Sequence, residues 1–424
     1  MNASQRVSRS RGARFASRCA IDLAVLLAVF ALVVVVDISV LDQPFLAEGP
    51  PRIDGYFVLR SLLVFALAFF IVGDVYRSRD AGSKFETGWQ ASPAGTVAGC
   101  IVIALSFAAA SLLIVNPRLH DLLALEDSVV EWTSAAALFF GAALLLVLAL
   151  VLAFRGKGQR NGLILTLLLA GILLLIGMEE ISWLQRAADV PTPAWYSELN
   201  RQNEINLHNL YTSETENAYY MGAFMFLVAF PFIVDAGPRW QLLERVEVFV
   251  PNRFIVVMGA ISAFAWGMWN IAWIQFGTFA SVFILICYAR AANRHARHAE
   301  RTMFVMAALV LLAVQVVLLS RGATQVRSWG RHGVSGNVHR HRPCRVECSS
   351  RLAPLVRAQE PRWRCRPRSL RTANLTHGRR WRRRQARKTF LIFSVPACFA
   401  WNRAWLSCCS FFVLAAAPTQ ASPP

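Results

Sequence analysis

Apolar residues in this chain come in blocks, not in alternation. The runs Ala20–Val40, Tyr56–Val75, Ala94–Val115, Val129–Phe154, Gly162–Leu184, Ala218–Val234 and Met303–Leu319 are each predominantly apolar. Their lengths match the roughly 17–25 residues a helix needs to cross a hydrocarbon core of about 30 Å. The stretch Phe254–Ala289 is too long for one crossing, and its pattern predicts two short spans, 254–270 and 275–289, turning near Asn270–Gln275. No segment alternates over about ten residues as a transmembrane barrel strand does.

The polar gaps orient these helices. Residues 1–18 carry Arg6, Arg9, Arg11, Arg14 and Arg18 with no acid. The run that follows is too long for the apolar part of a signal peptide, which makes it an anchor with a cytoplasmic N-terminus. Counting onward, Arg77, Arg79 and Lys84, then Arg155, Lys157 and Arg160, then Arg239, Arg245 and Arg253, then Arg290, Arg294, Arg297 and Arg301 all fall on that same side. The acidic loop with Asp42, Glu48 and Asp54 falls on the other. A single span over 254–289 would break this agreement. The fold expected is an all-α polytopic integral membrane bundle of eight or nine transmembrane helices, with residues 19–321 as the membrane domain. Its first partner is the lipid bilayer.

Composition agrees and adds one exclusion. Of 424 residues, 56% are hydrophobic and 16% charged, a balance soluble domains rarely reach. A formal charge of +19 ordinarily points to nucleic acid or anionic lipid. Here much of the excess lies beyond residue 320 and is almost all Arg, in text such as PRWRCRPRSLRT and GRRWRRRQARK. Residues 322–424 therefore read as a disordered or out-of-frame tail, with an Arg-rich lipid- or nucleic-acid-binding appendage as the alternative, and no nucleic-acid partner is expected. Six of the nine cysteines lie in that tail, and Cys19, Cys100 and Cys287 sit in or beside apolar runs, so no disulfide framework follows. His339, His341, Cys344 and Cys348 have a ligand-like spacing, but in that context it is chance.

The chemistry concentrates in Gly177–Leu210. Glu179 and Glu180 appear before the fifth span is finished, where ionisable groups are expensive and usually mark function. If the helix continues, Glu179, Ser182, Trp183 and Arg186 share about a third of its circumference. Adjacent acids in a medium of low dielectric can share a proton or hold a cation. The following loop, 185–217, belongs outside; Thr192-Pro193 predicts the start of a short helix, with Trp195 and Tyr196 at headgroup level. Read as helix, Asn200, Glu204 and His208 fall at i, i+4 and i+8 on one face. Glu204 and His208 are then a pair able to ligate zinc, iron or manganese, with Glu131, Glu179 and Glu180 on the same side of the membrane. Asn200, Gln202, Asn206, Asn209 and Ser182 are candidates for substrate contact or for orienting the ligands. Plainer readings stand beside these: an ion-paired helix end for Glu179, Glu180 and Arg186, helix capping by the acids that precede Glu131, and a merely hydrogen-bonded His208.

EDSVVEW, GMEEISWLQR and NRQNEINLHNL together resemble a group of uncharacterised bacterial multi-pass membrane proteins that show EEISWGQR followed by N-Q-E-NLHNL. The resemblance covers about residues 120–215, with Leu184 where that group usually has Gly. It brings no activity with it. A looser similarity links the pattern to the alkaline ceramidase-like intramembrane hydrolases, whose late HxxxH has no counterpart here. The expectation is a site on the extracytoplasmic face for metal-assisted hydrolysis or group transfer on a lipid-linked substrate. Glu179, Glu180, Glu204 and His208 would be ligands or the acid/base pair, with Arg186 against an anionic headgroup. A proton- or cation-coupled transporter and a non-catalytic assembly factor are the alternatives.

Overall fold

A computed structural model describes residues 3–41, 46, 53–80, 83–87, 93–116, 119, 129–154, 160–185, 187–199, 205–207, 210, 212–237, 250–264 and 271–333. The chain divides into two compact units, residues 1–324 with 394–424, and residues 325–393. Of the second unit, the described part is the helical run 325–333.

Among the described residues the architecture is all helical. In chain order the elements are α1 (Ala3–Ser39), α2 (Gly55–Arg77), the single turn α3 (Lys84–Thr87), α4 (Pro93–Val115), α5 (Val129–Phe154) and α6 (Arg160–Glu180). They continue with the short α7 (Ala194–Leu199), α8 (Thr212–Phe224), α9 (Phe230–Ala236), α10 (Arg253–Phe264), α11 (Ala272–Arg294) and α12 (His298–Gly333). Eight of the helices are long and apolar enough to cross a membrane, which makes this a multi-pass membrane protein.

Local chemistry explains several of the boundaries. Asp54 caps α2 by accepting the Phe57 amide at 2.9 Å. Pro93 opens α4, where its missing N–H costs nothing. Between α8 and α9 the helix widens into a π turn, Met225–Ala229, immediately before Pro231. A proline inside a helix leaves a carbonyl without its donor, and the wide turn accommodates that locally. Gly259 of α10 presses on this turn: a Cβ there would come within 2.6 Å of the Leu227 Cβ.

The two short spans expected over 254–289 are unequal. α10 has 12 residues, about 18 Å of helix, whereas α11 has 23 and starts at Ala272, inside the expected turn. Side-chain contacts show which helix ends lie together. Ends expected on the cytoplasmic side meet each other: Arg79 and Arg294 both reach Glu86, and Arg253 and Lys84 both reach Asp235. Opposite ends meet as well: Tyr56 and Arg60 bond Asp37, Trp273 bonds Asn217, and Gln275 bonds Ser61.

α11 is the most deeply buried span, packed against α2 and carrying Tyr288 and Leu285 into the core. α5 and α6 pair with each other along their length and expose Val147, Leu150, Leu168 and Leu175, as suits contact with lipid tails. α12 runs past the expected end at Leu319 as far as Gly333. The remainder of the Arg-rich tail, including His339, His341, Cys344 and Cys348, lies outside the described residues.

Candidate functional site

The fifth span does not continue as a helix through Ser182, Trp183 and Leu184. α6 ends at Glu180, and these three residues form a tight turn with φ of 47°, 55° and 62°. Left-handed backbone costs an L-residue about 1–2 kcal/mol, so three in succession are held only by their surroundings. The shared helical face expected for Glu179, Ser182, Trp183 and Arg186 is therefore absent, because the backbone reverses hand before it can form. Arg186 itself lies outside the described residues.

Glu179 and Glu180, successive residues of α6 and so about 100° apart around it, point in different directions. Glu180 is buried, at 6% exposure, and its Oε2 lies 3.5 Å from the Ser134 hydroxyl of α5. That hydroxyl also donates to the main-chain carbonyl of Glu131 at 2.7 Å, which is how Glu131 joins the cluster. Glu179 is half-buried and turns to the loop: it accepts the Trp183 indole N–H and the Leu207 amide, both at 2.7 Å. The adjacent acids thus serve different partners. One faces the helix pair and the other clamps the loop. The helices approach closely here, since a Cβ on Gly177 would meet the Phe139 ring at 2.7 Å.

Ser182 and Asn206 are both buried, and the Asn206 amide donates to the Ser182 hydroxyl at 3.3 Å. Asn206 in turn offers its main-chain carbonyl to the Tyr196 hydroxyl. Gln185 is the strut that the sequence pattern does not reveal. Its Nε2 donates to the Val190 carbonyl at 2.9 Å and to the Thr192 hydroxyl at 2.6 Å, while its Oε1 accepts the Ile205 amide at 2.5 Å. One buried amide so ties three loop segments together, satisfying backbone groups that would otherwise be stranded at a membrane face.

The expected loop helix forms, at Ala194–Leu199 directly after Pro193. Trp195 is exposed, and Tyr196 is buried against Asn206. The continuous helix from Asn200 to His208 does not form: Ile205–Leu207 is non-helical, so the i, i+4, i+8 argument fails there. Asn200, Gln202, Glu204, His208 and Asn209 lie outside the described residues. Among the described residues, no three His, Cys, Asp or Glu side chains come together as a metal site. Glu204 and His208, the expected zinc, iron or manganese pair, flank the anchored tripeptide Ile205–Leu207 in sequence.

A second polar cluster occupies the opposite face. Asp235 at the end of α9 is held by Tyr288 Oη at 3.0 Å, Arg253 Nε at 3.6 Å and Lys84 Nζ at 3.9 Å. Arg253 also reaches Glu300 at 3.9 Å and lies over the Tyr288 ring, 5.2 Å from its centroid. At the rim, Glu86 pairs with Arg79 at 2.5 Å and Arg294 at 3.2 Å. The Arg79 hydrogen bond, ahead of a small opposing effect of burial, holds the Glu86 carboxyl below its ordinary range. Sequence reasoning counts Arg253 as an orienting charge and passes over Asp235; an acid closing an otherwise apolar run is the signal that marks it.

No protein-family model, curated protein or solved structure matches this chain.

Proposed function

We propose that the protein acts on a lipid-linked substrate at the extracytoplasmic face of the bacterial cytoplasmic membrane, by hydrolysis or group transfer. The observation that carries this reading is the buried carboxylate of Glu180 at the end of α6, followed at once by a left-handed turn that holds the Ser182 hydroxyl buried. Stored backbone strain of this kind clusters at sites where geometry matters more than stability. Glu180 is the acid/base group, steadied by Ser134. Ser182 and Asn206 are the hydrogen-bonding groups for a polar headgroup, and Glu179 fixes the loop that covers them. Glu204 and His208 would be the residues to hold a divalent metal, which would supply polarisation of the bond under attack. Elemental analysis of wild type and His208→Ala decides that part separately.

The test is turnover. The full chain, reconstituted with a polar lipid extract, is expected to release a headgroup product seen by mass spectrometry. Glu180→Gln is expected to abolish it while leaving the helical signal intact. No product from the wild type, or equal product from the variant, overturns the reading.

A second reading, a proton- or cation-coupled carrier, is favoured by a different observation. α11 carries buried Gln275, Thr278 and Ser281 inside the span, and Tyr288 about 20 Å from Gln275 along the helix. Gln275 bonds Ser61 at one end of α11, and Tyr288 bonds Asp235 at the other. Proton flux in proteoliposomes that is lost in Asp235→Asn, with no lipid product, selects this reading.

A further inference from the structure

The loop after α6 exposes apolar side chains that a water-facing loop would not. Trp183 is 44% exposed, Leu184 45%, Val190 49%, Trp195 66% and Leu207 61%, all on a segment outside the eight spans. Large exposed apolar groups clustered on one segment mark a surface meant for an apolar partner.

The hydrogen bonds fix how deep this segment sits. Trp183 and Leu207 both donate to Glu179, one residue before the end of α6. Ile205 and Val190 are both bonded to the Gln185 side chain. Asn206 is bonded to Ser182 and carries Tyr196, the neighbour of Trp195. All of these links except the one between Tyr196 and Asn206 end on residues 179–185, at or within a few residues of the end of a membrane-spanning helix. The loop is therefore folded back on the end of the span and is not free to extend into water.

The geometry points to a loop that lies in the bilayer interface, with Trp183, Leu184, Trp195 and Leu207 set into the extracytoplasmic leaflet. The occupant of this apolar surface is the leaflet itself. Tryptophan is suited to that depth, having an apolar body and one polar N–H, and here the Trp183 N–H is satisfied by Glu179. The polar side of the same loop, Gln185, Asn206 and Tyr196, faces inward over Ser182 and Glu180. A lipid-linked substrate would reach this buried cluster laterally, from the leaflet in which the loop lies. This deepens the proposed lipid-linked substrate by giving its route, but the position of the loop rests on the hydrogen bonds alone and stands without any turnover.

The test uses the full chain labelled with 5-fluorotryptophan in lipid nanodiscs, read by fluorine NMR. Trp183→Phe and Trp195→Phe identify the two signals. Trp195→Phe leaves the Glu179 contacts untouched and supplies an assignment should the first variant fail to fold. Both signals are expected to broaden with a lipid carrying a nitroxide near its headgroup and to stay sharp with a water-soluble gadolinium chelate. Signals that broaden with the chelate alone place the loop in water and overturn the proposal. Signals untouched by either probe place a second copy or another protein on this surface and overturn it equally.

Discussion

Replacing Leu184 by glycine is expected to tighten the loop, whereas replacing it by alanine is not. At φ 62° an L-residue costs about 1–2 kcal/mol that glycine does not incur. Glycine's extra freedom in the unfolded chain takes back about 0.5–1 kcal/mol. Both variants lose the same half-exposed leucine branch, so comparing them isolates the backbone. The net preference is about 0.7 kcal/mol for glycine, roughly a threefold change in an opening equilibrium. In ordinary helix the sign is reversed, with alanine better by about 0.5–1 kcal/mol. The assay is native-state hydrogen exchange by mass spectrometry on the amides of Gln185, Ala188 and Val190, each bonded within this turn. Protection in Leu184→Gly is expected to exceed that in Leu184→Ala about threefold. Equal protection, or more in the alanine variant, would refute the left-handed turn and with it the inward placement of Ser182.

Three other outcomes follow from the packing and the charges. Gly177→Ala forces a methyl into the Phe139 ring and is expected to cost about 1–3 kcal/mol in unfolding by SDS titration, with partial recovery in Gly177→Ala/Phe139→Leu. Arg253→Met is expected to destabilise by about 3–5 kcal/mol because Asp235 loses a buried partner, and Arg253→Met/Asp235→Leu to regain much of it; a double variant no better than the single one contradicts the pairing. Glu86 has a folded-state pKa below its ordinary 4.5, so its contribution is present above that value and is lost as pH falls through the folded one. The stability gap between wild type and Glu86→Gln is expected to hold from pH 7 to about 5 and to shrink towards pH 3, and a constant gap contradicts it.

The spans were legible because a bilayer imposes a length on apolar runs, and the basic loops fixed which ends meet. Arg79, Arg294 and Glu86 come together at the face where charge counting puts them. The turn was not legible. ISWLQ continues the composition of a helix, and periodicity carries no information about the sign of φ. Asn206 stood out as a candidate for substrate contact or for orienting ligands, and what the structure shows of it is its bond to Ser182. Gln185 went unremarked because an amide inside a loop has no spacing to give it away. Asp235 was passed over, although its partners come from three segments far apart in sequence. Long-range polar pairing of this kind has no local signature.

The account turns on the division of labour between two adjacent acids, and a paired measurement on Glu180→Gln and Glu179→Gln tests it most directly. Each variant is read for lipid-product release and for exchange of the Leu207 amide, which Glu179 accepts. Glu180→Gln is predicted to lose turnover with Leu207 protection unchanged, and Glu179→Gln to lose Leu207 protection at least severalfold. Loss of Leu207 protection in the Glu180 variant, or undiminished turnover there, would contradict the assignment of Glu180 to the chemistry and Glu179 to the latch.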